Sequence, residues 1–214
     1  MGKDAAKIKS VLDKYSLSQP YFLSLGRLEE KKNTAGLVLA FNLFKSRLKA
    51  NGGGGKGNGK EFSLVLLGKP GYGFERVRET IAKSEFKKDI FLPGWAAQAD
   101  VPYLMAGATA FIFPSFYEGF GIPVLEAMAS GVPVICSGVS SLPEVAGGAA
   151  LLVNPYKPEE IAEAMRIIIS EISLRGALIA KGLERVKNFD WQKTARGVWE
   201  EVRGLSPISL QKRI

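Results

Sequence analysis

Six short, almost continuous apolar runs divide this chain: 20-PYFLSLG-26, 61-EFSLVLLG-68, 89-DIFLPG-94, 108-ATAFIFPS-115, 132-VPVICS-137 and 148-GAALLVN-154. Between them lie segments with a helical period, at 33–50, 74–86, 98–107 and 122–130, and a short helical turn near 142–146. Strands that lack apolar–polar alternation are those covered on both faces. Strands alternating with helices specify a parallel sheet. The pattern therefore predicts an α/β fold, a Rossmann-like doubly wound parallel sheet of about six strands. Three consecutive C-terminal helices are expected from 158 to about 203, and a further helix at 4–15.

At 214 residues, the chain fits one domain with at most an appendage, and buries a core without disulfides. Its single cysteine, Cys136, lies inside an apolar run, and the chain has no histidine to activate a thiol. A buried strand thiol is the reading. The polar start MGKDAAKIKS resembles no signal peptide, and no apolar run is long enough to span a bilayer. A cytoplasmic protein is expected. The net charge of +8 is confined to residues 1–60, with 12 Lys/Arg against 4 Asp/Glu. A solvated basic face explains this plainly. Peripheral attraction to the inner face of an anionic membrane is the functional counterpart. No reader motif accompanies the charge, so nucleic acid is not an expected partner.

One motif misleads. Gly54 to Lys60 matches G-x-x-x-x-G-K, but Glu61 stands where a magnesium-binding Ser or Thr belongs. The segment also follows a helix and precedes a strand, the reverse of a phosphate loop. It reads as a connection at the wrong end of the sheet.

Ligands of open α/β sheets bind beyond the carboxyl ends of the strands. The loop 26-GRLEEKKN-33 there carries Arg27 and Lys32, a planar fork and a point charge that suit a diphosphate, although solvated cations are common on such loops. The loop 118-EGFGIP-123 joins two glycines to a helix start with Pro123 in its first turn. Free N–H groups and the helix dipole favour an anion at that point. Glu118 and Glu126 bracket it. Two carboxylates could be a hydrolytic pair, but acids beside a phosphate site are better used to accept hydrogen bonds from sugar hydroxyls. Glu126 could also simply stabilise the helix dipole. A metal site has poor support, since the chain lacks histidine.

The blocks 24-SLGRLEEKKN-33, 64-LVLLGKPG-71, 91-FLPGW-95, 112-IFPSFYEGFGIPVLEAMASGVPVICS-137, 141-SLPEVAGGAALLVNP-155 and 189-FDW-191 together resemble a known family. It is the nucleotide-sugar-binding, C-terminal half of retaining GT-B glycosyltransferases of the group 1 type. The resemblance covers roughly residues 20–203. It implies residues 1–19 as a linker helix, 20–188 as a donor-binding domain, and 189–214 as a crossover helix and tail. It implies Arg27 and Lys32 as the grip on the donor diphosphate and Glu118 as the acid near the donor hexose. With them, Gly26, Gly119, Phe120, Gly121 and Ile122 cradle phosphate and sugar, Glu126 takes the ribose hydroxyls, and Gly94 and Trp95 hold the base. Arg27, Lys32 and Glu118 are thereby the expected catalytic groups, acting without a metal or other cofactor.

The family's acceptor-binding half, which commonly supplies a histidine near the donor sugar, has no counterpart in these blocks. The resemblance implies that it belongs to the same parent chain or to a separate subunit. An isolated chain is then expected to be inactive, its crossover-helix residues Trp199 and Val202 left exposed or folded differently. A non-catalytic nucleotide-sugar-binding module, regulator or scaffold, is the alternative. Among donors, the blocks 141–155 resemble mannosyltransferases, favouring GDP-mannose over a UDP-sugar.

Overall fold

The structure, a computed structural model, describes residues 4–50 and 62–204. Six parallel strands, β1 (Tyr21–Leu25), β2 (Ser63–Leu67), β3 (Ile90–Gly94), β4 (Ala110–Phe113), β5 (Val134–Ser137) and β6 (Ala150–Val153), lie in the order β3-β2-β1-β4-β5-β6. The predicted doubly wound sheet is present. The chain winds outward from β1 through β2 and β3, then returns to β4 on the other side of β1. The topological switch point thus falls between β1 and β4, where Phe22 pairs with Ala110 and Leu23 with Phe111.

Helices α1 (Ala5–Lys14), α4 (Val101–Ala106), α5 (Ile122–Ala129) and α6 (Leu142–Ala146) cover one face. Helices α2 (Thr34–Ala50), α3 (Phe74–Ala82), α7 (Pro158–Ser170) and α8 (Ile172–Arg185) stand in the remaining order of the chain, and α2, α7 and Leu178 of α8 pack on the second face. Because side chains alternate along a strand, Leu23, Val65, Leu67, Phe111, Phe113, Val134 and Cys136 enter the first core. Phe22, Leu64, Leu66, Ala110, Ile112 and Ile135 enter the second. Phe22 there meets Phe44 edge-on and stacks against Phe62. Cys136 is fully buried, as its apolar run indicated, and burial pushes its thiol up to about 12.

Three of the boundaries that differ from the sequence reading have a local cause. Helix α3 stops at Ala82 because the Ser84 hydroxyl accepts the Phe86 N–H at 3.0 Å, a local turn that competes with the helical ladder. Helix α4 starts at Val101, after a turn in which the Ala97 carbonyl accepts from Asp100 at 2.8 Å. Strand β4 ends at Phe113, since Pro114 has no N–H to continue the ladder.

The helix read as an N-terminal linker lies against α4 and buries Val11 and Leu12. The final helix, α9 (Trp191–Gly204), has no buried residue. Trp191, Val198, Trp199 and Val202 are all more than half exposed, which for Trp199 and Val202 is the first of the two outcomes expected. The glycine-rich segment with the misleading phosphate-loop pattern lies outside the described residues, as does 205–214.

Candidate functional site

The two loops that diverge at the switch point are joined by one short ion pair. Lys32 Nζ lies 2.6 Å from Glu118 Oε1, and both side chains are largely withdrawn from solvent. The ammonium also sits 5.0 Å above the Phe113 ring, a cation–π contact. The backbone reinforces this bridge, with the Phe116 N–H donating to the Lys31 carbonyl at 2.9 Å. A lysine ammonium has three donors, and among the described residues Lys32 uses one, which leaves two for a ligand.

Glu118 is itself held from a third loop. Its N–H donates to Ser140 Oγ at 3.1 Å, and Ser141 Oγ lies 3.0 Å from the Glu118 carbonyl and 2.8 Å from that of Phe120. Ser140 thus takes up the Glu118 N–H while Ser141 engages the carbonyls of Glu118 and Phe120, both from the β5–α6 connection. The N–H groups of Gly119, Phe120 and Gly121 make no hydrogen bond among the described residues. Gly121, with φ of 109°, precedes α5 in a left-handed conformation. A Cβ there would also stand 2.6 Å from Leu142 Cδ2. At Gly119 a Cβ would meet nothing within 4 Å, so the space above that residue is open. Unpaired N–H groups, a helix N-terminus and a bare glycine form a surface suited to an anion. Phe120 and Ile122 flank it half exposed, with the Phe120 ring edge-on to Phe189.

Arg27 occupies a different wall. It is well exposed, with Nε 3.9 Å from Glu29 Oε2, and lines a cavity of about 430 Å³ over the ends of β1, β2 and β3. Gly26, Lys69, Pro70, Trp95 and Gln98 are among its other walls. The three loops approach closely here. Gly26 donates to the Leu67 carbonyl at 3.0 Å and Gly68 to the Gly94 carbonyl at 2.8 Å. A Cβ at Gly68 would stand 1.8 Å from the Gly26 oxygen, so only glycine fits. Trp95 stays largely exposed at the rim.

Glu126 lines a smaller cavity of about 180 Å³, bounded also by Gln98, Val101, Pro102 and Met105. Gln98 and Val101 belong to both cavities, so the two are adjoining chambers. The fold thus groups Gly26, Arg27 and Trp95 in one chamber and Glu126 in the next, with Gly94 closing β3 beside them. Lys32, Glu118 and the 119–122 turn gather at the switch point.

Sequence reasoning missed the residues that hold the 95–100 loop. Tyr15 Oη accepts the Ala97 N–H at 3.1 Å and donates to Asp100 Oδ2 at 2.9 Å. Lys14 binds the same carboxylate at 2.6 Å, and this hydrogen bond holds the Asp100 carboxyl below its usual range. Helix α1 therefore props one wall of the chambers. Lys69 and Gln98 were also missed, since nothing in their local pattern marks them.

A family model described as glycosyl transferases group 1 matches residues 8–185. The chain belongs to the group 1 glycosyltransferase family. Among curated relatives, it is 36% identical to the O-antigen chain mannosyltransferase B of Escherichia coli over 191 residues, 89% of this chain and 48% of that protein. It is 30% identical to the serotype-specific mannosyltransferase WbdA of the same organism, covering 22% of that longer protein. The chain spans about half or less of the length of these relatives. Among solved structures, Anabaena Alr3699/HepE in complex with UDP and glucose superposes with a TM-score of 0.80 at 18% identity, over 95% of this chain and 54% of that one. Sucrose-phosphate synthase from Thermosynechococcus elongatus gives 0.76 at 24% identity, over 92% and 48%. These likenesses assign the fold: one half of a GT-B architecture, as the sequence implied. Among the described residues, no helix is long and apolar enough to cross a membrane.

Proposed function

We propose that this group 1 glycosyltransferase chain is the donor-binding half of a hexosyltransferase. It would move a hexose from a nucleoside diphosphate to an acceptor hydroxyl with retention, together with an acceptor-binding half. The observation that carries this reading is the Lys32–Glu118 bridge, beside a turn of unpaired N–H groups and next to the Arg27 cavity. Identity of 36% to a mannosyltransferase supports mannose as the sugar and GDP-mannose as the donor.

In this reading the chambers take base and ribose, with Trp95 beside the base and Glu126 accepting from the ribose hydroxyls. Arg27 and the two free donors of Lys32 hold the diphosphate. The N–H groups of 119–121 complete its cradle, and Glu118 addresses the hexose. The bond between the anomeric carbon and the phosphate oxygen breaks, and the electron pair leaves with the nucleoside diphosphate. The acceptor oxygen bonds to the same face of that carbon, and its proton passes to the departing phosphate. Fixed cations and N–H groups directed at the developing charge lower the barrier electrostatically, without reorganising. The basic residues within 1–60 would place the assembly at an anionic membrane surface.

Calorimetric titration with GDP, UDP, their sugars and the 2′-deoxy nucleotides tests the reading. GDP and GDP-mannose should bind, and Glu126→Gln should weaken ribonucleotides more than deoxyribonucleotides. Absence of any nucleoside diphosphate binding refutes it. Binding of UDP-sugars alone reassigns the donor.

A further inference from the structure

A third cavity, of about 320 Å³, lies on the far side of the 26–33 loop and shares no lining residue with the donor chambers. We infer that it binds a neutral hexopyranosyl unit of a saccharide chain. Its defining feature is an aromatic platform. The Tyr156 ring stacks on Phe116 with centroids 4.8 Å apart and planes 21° apart, yet Tyr156 remains 69% exposed. Leu39, 45% exposed, adds apolar surface to the same cavity.

The platform is held rather than loose. The Tyr156 N–H donates to Asn154 Oδ1 at 2.9 Å, and the Asn154 N–H to Glu160 Oε2 at 3.0 Å. Asn33 Nδ2 donates to the Pro155 carbonyl at 2.6 Å, a bond between residues 122 apart in sequence. Gly36 makes room for that amide, since a Cβ there would stand 2.1 Å from Asn33 Oδ1. Three hydrogen bonds fix the backbone that carries Tyr156, and the stack on Phe116 supports the ring itself before any ligand arrives, which lowers the ordering cost of binding.

The chemistry selects a sugar. The face of an aromatic ring is negative and attracts the weakly positive C–H face of a pyranose. Glu30 and Arg76 supply an acceptor and donors at the cavity edge, and they already pair at 3.6 Å. Their charges offset each other, so the cavity offers a phosphate no net attraction and suits a ligand of hydroxyls. Its volume falls within the usual range for small-molecule sites, about 300–1,000 Å³. Phe116 lies two residues before Glu118 in the chain, so the platform and the Lys32–Glu118 bridge share one loop. That it belongs to an acceptor or product glycan rests on the transferase reading; the binding itself does not.

The test is a two-dimensional amide NMR titration of the full chain with methyl α-mannopyranoside, methyl α-glucopyranoside and their linear trisaccharides. Saturable shifts are expected at 116, 156 and 76–80, stronger for a trisaccharide. Tyr156→Ala should weaken that binding about tenfold, whereas Tyr156→Phe keeps it. GDP affinity should be unchanged in both variants. Absence of saturable shifts overturns the inference. So do shifts confined to the Arg27 cavity, shifts unaltered by Tyr156→Ala, or shifts at 116 and 156 caused by guanosine and not by sugars. Loss of GDP binding by the unmodified chain, with saccharide shifts intact, would count against the donor reading alone.

Discussion

Among single residues, the two cations of the first loop stand in opposite environments. Lys32 is drawn to Glu118 in a site that excludes most water, whereas Arg27 reaches into the open. Removing one partner of a shielded pair strands the other, and that penalty exceeds the net worth of the pair. Lys32→Ala should therefore lower unfolding free energy by about 1–3 kcal/mol, the upper end of the buried range being softened by residual exposure. Adding Glu118→Gln should restore part of it. Arg27→Ala should leave stability within about 0.5 kcal/mol, yet weaken nucleoside diphosphate binding about tenfold. Urea denaturation and calorimetry on the same variants separate the two roles. Equal stability losses for both substitutions would remove the distinction.

At the level of elements, helix α5 begins with geometry that only glycine meets. Gly121 combines a φ of 109° with the approach of Leu142. Gly121→Ala should cost about 1–3 kcal/mol in stability and displace the N–H cradle, lowering nucleotide affinity as well. Gly119→Ala has open space and should mainly affect binding. A thermal melt beside a GDP titration distinguishes them. Helix α9 is the reverse case, since its apolar residues meet solvent. Trp199→Ser should change stability by less than about 0.5 kcal/mol. It should also reduce concentration-dependent self-association in sedimentation velocity, because exposed apolar patches drive such contacts. A large stability loss would show that Trp199 packs against the chain.

For the whole molecule, stability should form a plateau bounded by identifiable groups. The Asn154 N–H depresses the Glu160 carboxyl, and the Lys14 ammonium depresses that of Asp100. Depressed acids stabilise the fold above their unfolded values, and that contribution disappears as pH falls through the folded ones. Burial raises the Cys136 thiol from 9.0 to about 12 and raises the Tyr21 phenol in the same direction. These groups stay protonated in the fold and ionise in the unfolded chain. Stability should thus decline above pH 9, by about 1.4 kcal/mol per pH unit for the thiol until its folded value is reached. Urea midpoints against pH measure both limbs, and Cys136→Ala should flatten the basic one. An unchanged slope would mean that the thiol ionises in the fold.

The sequence by itself determined what local pattern controls. Continuous apolar runs required a sheet covered on both faces, and the Gly-Phe-Gly turn before Pro123 marked a helix start, because backbone freedom and periodicity act over a few residues. The pairing of Lys32 with Glu118 spans 86 positions, and Tyr15 reaches Asp100 across 85. Neither is written in any window of sequence. They exist because the strand order brings β4 beside β1 and lays α1 against α4. Gln98 likewise joins Glu126 in one wall only through tertiary packing. The platform of Phe116 and Tyr156 escaped notice for the same reason. Each aromatic alone reads as an ordinary loop residue, and only the packing of two distant loops stacks one ring on the other and leaves its outer face to solvent.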